Sequence, residues 1–155
     1  MKIDMFIYFL MYRYGGLYLD MDYVMFKPFD ILDAKVVLPT NRDLDNDEKI
    51  TCLGNCIFAS VPNHPFWKLL MDTVFDVNRK HLSSSSSDDN VIKSTGPLFV
   101  FNMYNRYSNK DEINIPERML FHPPTGSNQQ YIDKLRKQGC YGMHMCTGVW
   151  RNDKL

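Results

Sequence analysis

Asp20 and Asp22 stand one residue apart in the run Tyr14-Gly15-Gly16-Leu17-Tyr18-Leu19-Asp20-Met21-Asp22, a spacing with chemical potential. On an extended backbone successive side chains alternate, so both carboxylates share one face and Met21 turns away. Like charges held this close repel unless they are solvated or a divalent cation joins them to a second anion. A cation bridging such a pair to a diphosphate neutralises the charge of the departing group, acting as Lewis acid and template. Oxygen ligands suit Mg²⁺ or Mn²⁺, and an added imidazole favours Mn²⁺. His144 is the best candidate for that imidazole; His64 reads as a helix-start residue, and His81 lies beside a serine run.

An Asp-x-Asp spacing alone is weak, because it arises by chance at strand ends. Its neighbours strengthen it. Gly15-Gly16 permits close backbone approach, and Tyr18 and Leu19 supply a buried strand that holds the pair. Other polar or aromatic residues have plain structural readings. Asn55 finishes a turn after Gly54, Thr95 caps a helix, Trp150 plugs the core, and Asp4 pairs with Arg13 on a partly exposed face.

The elements that must position these groups follow from the apolar pattern. Residues 3–13 are apolar almost throughout, which predicts a helix or strand buried on several sides. Tyr23 to Phe26 and Ala34 to Leu38 read as strands, the first broken by Lys27-Pro28 and the second by Pro39. Residues 40–49 form a charged, solvated loop, and Cys56 to Ala59 a short buried strand. Asn63-His64-Pro65 announces a helix whose Phe66, Leu69, Leu70, Val74 and Val77 share one face. A mobile serine-rich loop at about 82–90 follows. Ser94-Thr95-Gly96-Pro97 opens a second helical pattern, and residues 113–122 read as extended pieces. A third helix runs from Asn128 to Lys137, capped by Ser127 and stopped by Gly139, before a strand-like run from Tyr141 to Trp150. Alternating strands and helices give an α/β domain.

At 155 residues the chain fits one domain, 1–155. Eighteen basic residues balance eighteen acidic ones, which offers no electrostatic attraction to nucleic acid or an anionic membrane. The most apolar run, Met5 to Tyr12, is far short of the ~20 residues of a membrane span, and no signal peptide is evident. Cys52, Cys56, Cys140 and Cys146 do not match the usual zinc spacing, so free, partly buried thiols are expected in preference to a zinc-structured module.

The run Tyr14 to Asp22 resembles the sugar-binding, Asp-x-Asp-containing region of glycosyltransferases related to initiating α-1,6-mannosyltransferase, inositol-phosphoceramide mannosyltransferase and α-1,4-galactosyltransferase. It is more distantly similar to the glucosylating domains of clostridial toxins. Asn55 to Phe66 resembles that family's Asn-containing strand and small-Pro-x-His-Pro-Phe helix start, Ser94 to Phe99 its Thr-Gly-Pro segment, and His144 to Trp150 its closing His…Ser-Trp motif. The resemblance implies a GT-A fold, Mn²⁺ or Mg²⁺, and retaining transfer of mannose, galactose or glucose. The donor would be a GDP- or UDP-hexose, and the acceptor a glycan or glycolipid. It assigns Asp20, Asp22 and His144 to metal, with Asp20 and Asp22 as the catalytic pair, and Asp4, Gly15, Gly16, Tyr18 and Trp150 to the donor. Asn55, Thr95, Gly96 and Pro97 would face the sugar and acceptor. Departures are Ile7 where the family carries arginine, Val149 where it carries serine, and the lack of nucleotide-binding strands ahead of Met1. Those departures imply an N-terminally truncated fold with an exposed apolar face or sheet edge, completed by a missing segment or a protein partner. The alternative they leave open is an inactive GT-A remnant that binds a glycan or partner. Eukaryotic relatives are Golgi-anchored.

Overall fold

The computed structural model describes residues 2–29, 34–40, 53–81 and 88–147. The first apolar run is a helix, α1 (Lys2–Tyr14). Ile7, Tyr8 and Met11 face the core, whereas Ile3, Phe6 and Phe9 are 74%, 59% and 47% exposed. The expectation of burial on several sides is thus corrected: nothing among the described residues covers the outer face, and Phe6 and Phe9 stack on each other there. The helix ends at Gly15, whose φ of +62° is favourable only without a side chain. A Cβ on Gly15 would lie 2.5 Å from the Ser60 carbonyl oxygen and 2.6 Å from the Pro62 nitrogen. The close approach allowed by Gly15 is therefore to the protein's own backbone.

β1 (Gly16–Leu19) pairs antiparallel with β4 (Ile57–Ser60), placing Leu19 opposite Ile57. β4 pairs antiparallel with β3 (Val36–Val37), which runs parallel to β5 (Ile113–Asn114), so the sheet order is β1-β4-β3-β5. β2 (Tyr23–Met25) leaves this sheet and pairs antiparallel with β6 (Gly142–His144). That second ribbon puts His144 opposite Tyr23 and so beside Asp22.

α2 (Pro65–His81) starts as its sequence predicts: the Phe66 N–H donates to His64 Nδ1 at 3.3 Å. That bond leaves Nε2 as the ring's donor, 3.1 Å from Glu112 Oε2. Phe66, Leu70 and Val74 are buried, together with Trp67, whose indole N–H donates to Ser60 Oγ at 2.8 Å. α3 (Asp88–Ser94) takes in residues read as the end of the serine loop. Acidic side chains suit the positive end of a helix dipole, so their polarity did not exclude a helix start. Residues 82–87 and 41–50 lie outside the described residues, along with the rest of those two loop expectations.

α4 (Pro97–Arg106) begins behind Gly96, and Thr95 does not cap it. α5 (Arg118–Phe121) replaces part of the extended stretch expected at 113–122; one turn between Pro116 and Pro123 suffices to bury Phe121. α6 (Gln129–Lys137) is capped by Asn128, not Ser127: the Gln130 N–H donates to Asn128 Oδ1 at 2.8 Å. Gly139, at φ +83°, lies past its end as expected.

Two parts of the core matter for the site. Tyr8, Phe58, Phe66, Trp67, Leu70, Phe99 and Val100 join α1, α2 and α4 to the sheet. Tyr23, Cys56, Ile57, Phe121 and Tyr141 form a second cluster, with the Phe121 and Tyr141 rings stacked 4.8 Å apart. This cluster clamps the β2–β6 ribbon and α5 against the start of β4. No helix among the described residues is long and apolar enough to cross a membrane.

Candidate metal centre

The two aspartates converge through a tight turn, not along a continuing strand. β1 stops at Leu19, the Asp20 N–H donates to the Cys56 carbonyl at 2.8 Å, and the Tyr23 N–H donates back to the Asp20 carbonyl at 3.0 Å. Met21 sits fully exposed at the tip. Both carboxylates reach one imidazole: His144 Nε2 lies 2.9 Å from Asp22 Oδ1 and 3.7 Å from Asp20 Oδ2. The ligand atoms of Asp20, Asp22 and His144 all lie within 4.8 Å of one another. Asp20 and Asp22 thus share one side of the site as expected, but a turn after β1, not strand alternation, brings them together.

Each carboxylate has its own support. The Tyr18 hydroxyl donates to Asp20 Oδ1 at 2.5 Å, and Thr147 donates twice to Asp22 Oδ2, from its amide at 2.9 Å and its hydroxyl at 2.8 Å. Burial lifts the Asp20 carboxyl above its ordinary range despite Tyr18 and His144, and the charges of Asp22 and Asp4 add to the rise. Burial alone would raise Asp22 as well, but the Thr147 amide and hydroxyl, with His144, outweigh it and hold that carboxyl low. An ionised Asp22 can only accept, so His144 Nε2 carries the hydrogen between them. Burial, reinforced by Asp20, holds the Tyr18 phenol far above its usual range, fixing it as a donor.

Asp4 and Thr95, 91 residues apart, meet beside this centre: Thr95 Oγ1 donates to Asp4 Oδ2 at 2.8 Å. The expected Asp4–Arg13 pair does not fit, since these residues occupy the first and last turns of α1, a separation of roughly 13 Å along a helix. The Tyr8 hydroxyl donates to the Thr95 carbonyl, tying Gly96 and Pro97 to α1. Asn55 is half-buried, one residue before the Cys56 carbonyl that anchors Asp20. Gly16 is exposed at φ +87° with open space around its Cα. Ile7 is buried in the core at 7% exposure, so its position points away from solvent. Trp150, Val149 and Cys52 lie outside the described residues.

The sequence reading missed four contributors: Thr147, His122, Cys56 and Cys146. Thr147 reaches Asp22 across 125 residues, and no local pattern signals that contact. Cys56, His122 and His144 bring their ligand atoms within 4.8 Å of one another. Burial, then the neighbouring His144, pushes the His122 imidazole below its ordinary range, and burial pushes the Cys56 thiol up. Among the described residues, Cys56, Cys140 and Cys146 are free thiols.

Residues 1–42 match the family described as "Glycosyltransferase sugar-binding region containing DXD motif". Inositol phosphoceramide mannosyltransferase 1 of Schizosaccharomyces pombe is 31% identical over 108 residues, which make up 68% of this chain and 31% of that protein. The chain thus matches about a third of that relative's length. The Asp-x-Asp element of such enzymes ordinarily binds a divalent metal, in keeping with the donor set above. On the strength of these matches and of the turn that carries Asp20 and Asp22, the chain belongs to the glycosyltransferases with a DXD-containing sugar-binding region.

Proposed function

We propose that this chain forms the catalytic part of a GT-A, metal-dependent, retaining hexosyltransferase that moves a sugar from a GDP- or UDP-hexose to a glycan or lipid. One observation carries the reading: Asp20 and Asp22 converge with His144, 122 residues further along than Asp22, on a single point. Two carboxylates and an imidazole are hard and borderline donors, which fit Mn²⁺ or Mg²⁺. When bound, the ion supplies charge neutralisation for a departing diphosphate. Asp22, held by the two Thr147 donors, would take the direct ligand role, while Asp20, steadied by Tyr18, would face the ribose or the ion's hydration shell. Asp4, oriented by Thr95, holds donor-sugar hydroxyls, with Gly15, Gly16 and Tyr18 framing that side. Asn55 and Thr95-Gly96-Pro97 flank the sugar and acceptor, and Trp150 closes over the diphosphate. No carboxylate is needed as a nucleophile, because a leaving diphosphate oxygen can take the acceptor proton on the same face. The relative's name points to mannose and an inositol-containing lipid acceptor.

The test is turnover of GDP-mannose and UDP-hexoses by the full chain with Mn²⁺. Sugar release or transfer that disappears in Asp22→Asn supports the proposal. Nucleotide and metal binding without turnover supports the binding-module alternative, and absence of both refutes the transferase reading.

A further inference from the structure

Behind the carboxylates lies a second donor set of different chemistry. Cys56 leads into β4, His122 follows α5, and His144 ends β6, so three separate elements deliver one sulfur and two imidazoles to a single spot. Their ligand atoms lie within 4.8 Å of one another, and the His122 and His144 rings meet edge to face at 5.5 Å. A small inward adjustment brings such a set to the ~2.0–2.3 Å bonds of a tetrahedral zinc ion. Cys56 is 2% exposed. Among the described residues, His122 Nδ1 is the one buried side-chain nitrogen or oxygen with no hydrogen-bond partner. A buried imidazole nitrogen without a partner is costly unless something binds it. On the solvent side, Cys146 Sγ lies 3.3 Å from His144 Nδ1, where a fourth position would open.

We propose that Cys56, His122 and His144 form a soft-metal site for Zn²⁺, distinct in chemistry from the carboxylate pair and sharing His144 with it. Sulfur and nitrogen donors select Zn²⁺ over Mg²⁺ or Mn²⁺. Binding forms a metal–sulfur bond and releases the Cys56 thiol proton to solvent. The site does not depend on the transferase reading, since neither Asp20 nor Asp22 is needed as its ligand.

Co²⁺, a spectroscopic stand-in for Zn²⁺, is titrated into metal-stripped full-length protein. The expected result is a near-ultraviolet sulfur-to-cobalt charge-transfer band with tetrahedral visible bands, displaced by stoichiometric Zn²⁺. The charge-transfer band disappears in Cys56→Ser, weakens in His122→Gln and persists in Asp22→Asn. Circular dichroism checks that each variant is folded, and the partly buried His122 provides a variant independent of the fully buried thiol. Absence of the band in the wild-type protein, its survival in Cys56→Ser, or an undiminished band in His122→Gln overturns the proposal. Mn²⁺ binding that is lost only in Asp22→Asn would leave the carboxylate site standing in either case.

Discussion

Thr147→Val isolates the positioning of Asp22 from its charge. The substitution keeps the backbone amide bond to Asp22 Oδ2 at 2.9 Å and removes the hydroxyl bond at 2.8 Å, at nearly constant volume. A hydrogen bond to a charged group contributes about 1.5–3 kcal/mol when sheltered. The Asp22 side chain is 26% exposed, so the loss should be nearer ~1 kcal/mol, or roughly fivefold in Mn²⁺ affinity. A pH signature accompanies it. Asp22 is held low in the folded protein, so its charge is present at neutral pH and is lost as pH falls through that depressed value. Removing one donor raises the value, and Mn²⁺ binding in the variant should therefore fail at a higher pH. Isothermal titration of Mn²⁺ with GDP across the acid range measures both effects, and Thr147→Ser should restore them. Unchanged affinity with an unchanged acid limb would refute the role given to Thr147, as would a loss as complete as that in Asp22→Asn.

The buried, raised carboxyl of Asp20 costs stability when ionised, because the folded state resists the charge and stability falls as pH rises through its shifted range. Asp20→Asn should therefore raise the melting temperature of metal-free protein at neutral pH and remove its stabilisation by Mn²⁺, both read by thermal denaturation. Burial holds His64 below its ordinary value despite Glu112, so stability contributed by the neutral ring is present above about pH 6.5 and is lost as pH falls. His64→Asn should flatten that part of the melting-temperature profile. Gly15→Ala combines positive φ with a Cβ 2.5 Å from the Ser60 oxygen, whereas Gly16→Ala has positive φ and open space. Urea denaturation should give a loss of about 1–2 kcal/mol for Gly16→Ala and a distinctly larger one for Gly15→Ala.

Features written into short stretches were legible. α2 was readable because Asn63-His64-Pro65 marks its start and Phe66, Leu70 and Val74 recur at helical spacing. The Asp20–Asp22 juxtaposition needed only two adjacent positions. α3 and α5, at seven and four residues, are too short for periodicity to outweigh composition. Along α1 both faces are apolar, so sequence could not show that Ile7 and Met11 enter the core while Ile3 and Phe6 stay exposed. Thr147, His122 and Cys56 escaped because their roles come from contacts between distant segments. His144 was singled out by setting His64 and His81 aside, and then by resemblance to a closing motif, since no pattern links it to Asp22.

The most direct test of the shared centre is pulsed electron paramagnetic resonance on Mn²⁺ bound to the full chain with GDP. One bound ion with nitrogen hyperfine coupling from one imidazole is expected. That coupling should disappear in His144→Asn, and the bound ion itself should be lost in Asp22→Asn. Mn²⁺ bound without nitrogen coupling, and indifferent to Asp22, would rule out a metal centre built from Asp20, Asp22 and His144.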